Sequence, residues 1–315
     1  MGKLIVLDWR NFVKNVSFSI LNGQIACTWP TEQEEVAHRI FKRLYCLRLD
    51  HQDGRFVIAN DVKPYWRTGY LAKWYGMRPG TGEVVYKGNR EGAAWPFKCT
   101  PAEMEAVYAK CRFDAAKCLG GIIAQDEGLE ADDIWGIISS KTTVEVVGIS
   151  GDSDWAQCIT PDTGRVKLFD FTKNTWVTEK ADIRIKWIGG DSGDGVKGCT
   201  KLKKDGTPST KGWGHDGAEK LLREQPDNWM DGLSKQELEK NWMVVTLPCP
   251  TWDLEESEQA LLECSKEYAL EECWDEYGIT EGVRKKLAEK VERDAWSAKL
   301  RMHFAALKAG KAEEA

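Results

Sequence analysis

The chain has 315 residues, of which 42% are hydrophobic and 30% charged, with a formal net charge of -6. Those proportions lie in the globular range and exclude wholesale disorder and a fibrous repeat. No apolar run reaches the roughly 18–20 residues of a bilayer-spanning helix, because charges such as Lys63 and Arg67 interrupt every candidate.

The run from Leu4 to Leu7 is too short for a signal peptide and meets Asp8 at once, and Val6 stands where an N-myristoylation signal requires Ser or Thr. The expectation is a soluble, cytoplasmic protein with no membrane partner. Leu4-Ile5-Val6-Leu7 reads as a strand buried on both faces, ending in Asp8. Thr31-Glu32-Gln33-Glu34 is a capping box that opens a helix to about Leu47. Phe56-Val57-Ile58-Ala59 is a second buried strand, followed by Asn60-Asp61. Glycines punctuate the stretch from Gly76 to Phe97, which reads as a loop. Thr100-Pro101 starts a helix reaching about Ala124, and Glu130 to Ser140 forms another. The apolar run from Val144 to Ile149 is a third strand, leading into Ser150-Gly151-Asp152.

Strand alternating with helix specifies a doubly wound α/β sheet, whose ligands sit at the carboxyl ends of its strands. Asp8, Asp61 and Asp152 fall at those ends. From about Gly189 the pattern changes to glycine and lysine, with helical stretches from Ala218, Ser234, Leu254 and Thr280. Strand signals nearly vanish after Ile188, so the second half reads as a mainly helical lobe with a frayed tail from Ala309.

Ten cysteines without a C-x-x-C pair, and four histidines without ligand spacing, give no support to a zinc or disulfide framework. The absence of G-x-S-x-G argues against a serine hydrolase. The acids are more informative. Glu130, Asp132 and Asp133 open a helix, where acids also complement the helix dipole. Asp152 and Asp154 follow a strand, in a spacing that lacks the glycine and glutamate of an EF-hand. Asp191 and Asp194 follow Ile185-Lys186-Trp187-Ile188. With Asp8 and Asp61 these make nine carboxylates, and gathering them without a cation would set like charges against one another. Hard oxygen donors without His or Cys select Mg²⁺ or Mn²⁺, and such a cage suits two-metal phosphoryl chemistry.

Net acidity alone argues against a nucleic-acid ligand, but its distribution does not. Residues 197–223 hold seven Lys/Arg against three acids, whereas 253–276 hold ten acids and one lysine, a solvated or partner-binding face. Two G-x-G-x-x-G strings occur, Gly193/Gly195/Gly198 and Gly212/Gly214/Gly217, and neither joins a first strand to its helix as a dinucleotide site requires. The second leads into a helix whose backbone N–H groups can hold a phosphate, with Lys197, Lys201, Lys203, Lys204 and Lys211 adding charge. Tyr86-Lys87-Gly88-Asn89-Arg90 is a basic turn whose Lys87 and Arg90 could polarise a scissile phosphate. Trp66 reads as packing before base stacking.

With these motifs in family order, the chain resembles the flap endonuclease/5′→3′ exonuclease family, and within it the phage replication nucleases of the T-even RNase H type. The resemblance rests on Asp61 with Tyr65-Trp66-Arg67, on Tyr86 to Arg90, Glu130 to Asp133, Gly151 to Gln157, and Gly190 to Val196. It implies a PIN-like core with a mainly parallel sheet flanked by helices over 1–188, including an arch at about 76–126. A mainly helical C-terminal lobe over 189–315, with a helix–three-turn–helix element, completes the fold. It further implies a Mg²⁺-dependent 5′-nuclease acting on DNA or RNA–DNA duplex with a free 5′ end or flap, as in primer removal during phage replication. Asp132, Asp8, Asp61, Glu130 and Asp152 would hold one ion, Asp154, Asp191 and Asp194 the second, with Asp133 in the surrounding shell. Asp132 and Asp152 carry the chemistry, with Lys87 and Arg90 on the phosphate. Trp66, Arg67, the five lysines and Gly212, Gly214 and Gly217 contact nucleic acid, with K⁺ at the last element. A monomer is expected, with a sliding clamp or single-strand binding protein as partner. Residues from Ala72 to Glu83 form an insertion relative to the family, and Thr200 to Lys211 departs from its usual short hairpin. The competing reading is a non-catalytic junction-binding protein on the same fold.

Overall fold

The computed structural model describes residues 2–21, 29–63, 65–75, 95–203, 206–248 and 272–292. Strands β1 (Leu4–Asp8), β2 (Arg55–Ala59), β3 (Ile122–Ala124), β4 (Val146–Ile149), β5 (Val166–Asp170) and β6 (Thr175–Val177) form one sheet in the order β3-β2-β1-β4-β5-β6. All neighbours are parallel except β6, which turns back antiparallel on β5.

Pleating splits each apolar run between two cores. Ile5, Leu7, Phe56, Ile58, Val147 and Ile149 face helices α1 (Trp9–Leu21), α2 (Glu32–Asp50) and α4 (Pro101–Leu119), with α3 (Trp66–Tyr75) lying between the last two in chain order. Val6, Val57, Ala59 and Val146 face α5 (Ala131–Lys141) and the short 3₁₀ turn Ser153–Gln157. Burial on both sides explains why these strands show no polar alternation.

The capping boxes at Thr31 and Thr100 form, with side-chain oxygens accepting the Glu34 and Glu103 amides at 3.2 Å. The second helix stops at Leu119 and not at Ala124. Gly120 takes a left-handed φ of 59°, a conformation cheap only for glycine, and releases 122–124 into β3. The strand reads as helix in sequence because Ile122-Ile123-Ala124 continues an apolar helical pattern. Helix α1 is likewise invisible to cap rules: it follows Asp8 directly with no acid in its first turn.

Gly148 of β4 faces two stacked indoles, Trp135 and Trp155, whose ring centroids are 4.7 Å apart at 8°. A Cβ there would lie 2.8 Å from the Trp135 ring and 3.0 Å from that of Trp155. Both rings are fully buried and cannot retreat. Gly148→Ala is therefore expected to lower stability by about 1–3 kcal/mol through overpacking, measured as a shift in urea midpoint. An unchanged midpoint would show that the indole stack yields.

Beyond the sheet, α6 (Arg184–Gly189), α7 (His215–Glu224) and α8 (Lys235–Val245) carry two small antiparallel hairpins, β7 (Gly190–Asp191) with β8 (Val196–Lys197), and β9 (Thr200–Leu202) with β10 (Pro208–Gly212). These hairpins correct the expectation that strands end near Ile188. They are too short and polar to show a period. Ile188, Cys199, Ala218, Leu221, Leu222 and Leu233 form their own core. Buried Asn241 fastens this unit, its Nδ2 donating to the carbonyls of Trp187 at 2.9 Å and Lys197 at 3.1 Å. A short helix α9 (Glu272–Glu276) and a helix over 281–292 pack Trp274, Tyr277 and Ile279 onto the α2/α4 face. Most of the acidic 253–276 stretch and the tail lie outside the described residues. Among the described residues, no helix is long and apolar enough to cross a membrane.

Candidate metal centre

The chain order reverses between β1 and β4, which opens a crevice at the carboxyl ends of those strands. A polar cleft of about 270 Å³ lies there, lined by Asp8, Asp61, Glu130, Asp132, Asp152, Asp154, Asp191 and Asp194, with Arg10, Asn11, Lys14 and Lys186 among them. Eight of the nine acids singled out in the sequence thus share one cavity, although they span almost two hundred positions.

Five of them are placed by their elements and by backbone or side-chain donors. Asp8 ends β1, where the Ser150 hydroxyl donates to its Oδ2 at 2.7 Å and the Asn11 amide to its Oδ1 at 3.1 Å. Asp61 follows β2 and accepts the Ala131 amide at 2.8 Å, which ties it to the first turn of α5. Asp132 accepts the Trp155 indole N–H at 2.7 Å. Asp152 caps the 3₁₀ turn by accepting the Asp154 amide at 2.9 Å. Asp191 accepts the Gly193 and Asp194 amides at 2.9 and 3.2 Å.

Burial pushes the Asp8 carboxyl up to about 7, against the Ser150 hydrogen bond, with Asp61 and Asp152 adding repulsion. Burial also raises Asp154, despite Lys186 beside it. Partial burial acts to raise Asp191 too, but the Lys186 ammonium and its backbone donors bring it below the usual range. Among the described residues no three His, Cys, Asp or Glu side chains already stand as a closed ligand set. The donor set nonetheless fits hard divalent cations: oxygens only, mutually repelling, and held at one edge of a rigid sheet.

A titration follows from Asp8. Its folded value near 7 exceeds the ordinary 3.8, so between those limits the folded state keeps a proton that the unfolded state has lost. The stability from that proton is full below the unfolded value and disappears as pH rises through about 7. In EDTA, Asp8→Asn should therefore gain on wild type in thermal midpoint between pH 5 and pH 8. A constant difference would contradict the raised value.

One expectation is corrected by burial. Arg67 does not face nucleic acid: it is 3% exposed and its guanidinium is spent inside. It donates to Glu130 at 2.7 Å, to both oxygens of Asp133 at 2.7 and 2.8 Å, and to the Val244 carbonyl at 2.8 Å. Asp133, expected in the shell around the ions, is the one acid of the nine that does not line the cleft. Its carboxylate lies behind the cleft, 1% exposed, and also accepts the Glu130 amide and the Trp66 indole N–H. Half-buried Trp66 is committed to that contact, with the Arg67 guanidinium 4.7 Å from its ring centroid, so base stacking gains no support.

Of the basic residues, Lys197, Lys203 and Lys211 are exposed, while the Lys201 ammonium lies 4.4 Å from the Trp213 ring centroid. Gly212 ends β10, Gly214 is the N-cap of α7, and Gly217 lies in its first turn. Lys204, Lys87 and Arg90 lie outside the described residues. Lys186, Asn11, Lys14 and Arg10 are cleft residues that sequence reasoning missed. Only Lys186 left a signal, as the one charge inside an apolar string directly before Gly190-Asp191.

No described family and no curated protein matches this chain. Solved structures do. The zinc-bound 5′-exonuclease of T5 superposes with a TM-score of 0.52 at 19% identity, covering 92% of this chain and 98% of that one. A variant flap endonuclease of bacteriophage T5, in a pseudo-enzyme–product complex with DNA and metal ions, gives 0.51 at 18% identity, covering 92% and 99%. The fold of this chain is that of those proteins, with a mainly parallel sheet between helices.

Proposed function

We propose that this protein is a structure-specific 5′-nuclease, dependent on Mg²⁺ or Mn²⁺, that acts on DNA or RNA–DNA duplex at a 5′ end or flap. The observation that carries the reading is the convergence of eight carboxylates on one cleft at the switch point of the sheet. Its support in the comparisons is that both neighbours contain metal ions and one contains DNA.

Asp8, Asp61, Glu130, Asp132 and Asp152 would hold one ion, and Asp154, Asp191 and Asp194 the other. When bound, such ions polarise a phosphoryl oxygen and favour ionisation of the attacking water at neutral pH. The chain's own contribution is placement. Ser150, Asn11, Ala131 and Trp155 each donate to one acid and so fix its direction before substrate arrives. Lys87 and Arg90 are assigned to the scissile phosphate. The first turn of α7, capped only by Gly214, together with Lys197, Lys203 and Lys211, is assigned to duplex backbone, with K⁺ there as a further ligand. Such contacts read shape and not sequence. The division at 188/189 follows the same reading, as does a clamp or single-strand binding protein meeting the acidic 253–276 stretch.

The test is hydrolysis of end-labelled 5′-flap DNA and RNA–DNA duplex. Mg²⁺ should give short products bearing 5′-phosphate and 3′-hydroxyl ends, and EDTA should abolish them. Folded protein that leaves both substrates intact in Mg²⁺ and in Mn²⁺ would overturn the proposal.

A further inference from the structure

The cleft contains a cation of its own. Lys186, on the six-residue helix α6, lies with its ammonium between two of the acids assigned to the second ion. It donates to Asp191 Oδ2 at 2.5 Å and to Asp154 Oδ1. Its side chain is 19% exposed, and those of the two acids 19% and 15%. Burial acts to lower the lysine's pKa, but the two carboxylates outweigh it and hold the group above its ordinary value.

The position is fixed from both sides. Asp154 sits in the 3₁₀ turn after β4, and Asp191 ends a two-residue strand pinned by the Gly193 and Asp194 amides. The helix that carries Lys186 is itself held at the next residue, where the Trp187 carbonyl accepts from Asn241. A divalent ion held by Asp154 and Asp191 would need the carboxylate oxygens that the Lys186 ammonium now takes. Ammonium and ion would compete for them.

We propose that Lys186 is a built-in competitor for the second divalent ion: it neutralises Asp154 and Asp191 in the metal-free protein and must leave before that ion binds. This rests on the metal reading given above. Its consequence falls on the affinity of that ion. An ion held by Asp154 and Asp191 would have to displace a strong internal pair, so it binds more weakly than the two acids alone would bind it.

The experiment is Mn²⁺ binding to the full chain without nucleic acid, followed by calorimetry and by the spin-resonance signal of free Mn²⁺. Wild type should bind two Mn²⁺ ions. Lys186→Met should tighten one of the two sites by about tenfold or more, the scale expected when a unit charge next to the ion is removed, and leave the other within about threefold. Lys186→Arg, which keeps the charge, should tighten neither. Because Lys186→Met leaves two half-buried acids opposed, its thermal midpoint should fall in EDTA and recover in Mn²⁺ by more than wild type gains. Equal second-site affinity in wild type and Lys186→Met, or a midpoint that Mn²⁺ fails to restore, would overturn the competitor role and leave the metal reading standing. No Mn²⁺ binding by either protein would overturn both.

Discussion

Asp152→Asn and Asp132→Asn should each lower turnover on a 5′-flap substrate by about 10²–10³-fold or more, on the scale of removing one preorganised electrostatic contact. The substitution is chosen for what it keeps. Asp152 accepts the Asp154 amide, and Asp132 accepts the Trp155 indole, each through a single oxygen. A carboxamide oxygen can accept the same bond, so the turn and the indole stay in place while one negative charge disappears. Binding of the same substrate in Ca²⁺ should remain within about threefold of wild type, because phosphate contacts elsewhere supply most of the affinity. Equal losses in binding and in turnover would show instead that these acids support the local fold.

The second large effect is on stability. Arg67 holds Glu130 and Asp133 in a site where all three side chains are 4% exposed or less. Arg67→Met preserves much of the stem volume but leaves two buried carboxylates without a counter-charge. Breaking a buried pair from one side costs about 3–5 kcal/mol, and the lost bond to Val244 adds to it. Arg67→Lys should recover only part of this, since an ammonium cannot reproduce the planar fork that meets both Asp133 oxygens. The urea midpoints of the three proteins check the ordering. A loss below about 1 kcal/mol for the methionine variant, the range of exposed ion pairs, would mean that the acids protonate or that water enters.

Both predictions depend on features that were unequally visible in the sequence. The strands ending in Asp8 and before Asp61 and Asp152 could be read directly, since burial on both faces forces an unbroken apolar run and the acid breaks it. Carboxyl ends of parallel strands lie on one edge, so three acids could be placed together without knowing the strand order. The order itself was not legible. It puts β4 beside β1 and so brings Asp152 next to Asp8, and nothing local in either strand encodes that neighbour.

Periodicity and spacing alone also could not separate the acids that face the cleft from the one that does not. Asp132 and Asp133 are adjacent on α5, so about 100° of helix rotation divides them. The side that faces the cavity depends on how Trp135 packs against Trp155. Arg67 was misread for a related reason. An arginine beside an aromatic residue suits a nucleic-acid surface as well as an interior, and only the burial of Glu130 and Asp133 decides between them. Lys186 was hidden by context: one lysine in an apolar string looks like the polar face of an element, and its partners lie 32 and 5 residues away.

The most direct measurement is anomalous scattering from crystals soaked in Mn²⁺. Two peaks should lie within the cleft, one bordered by Asp8, Asp61 and Asp152, the other by Asp154 and Asp191 with the Lys186 ammonium moved away. Crystals that retain the fold and show no Mn²⁺ peak among these carboxylates at saturating concentration would contradict the account.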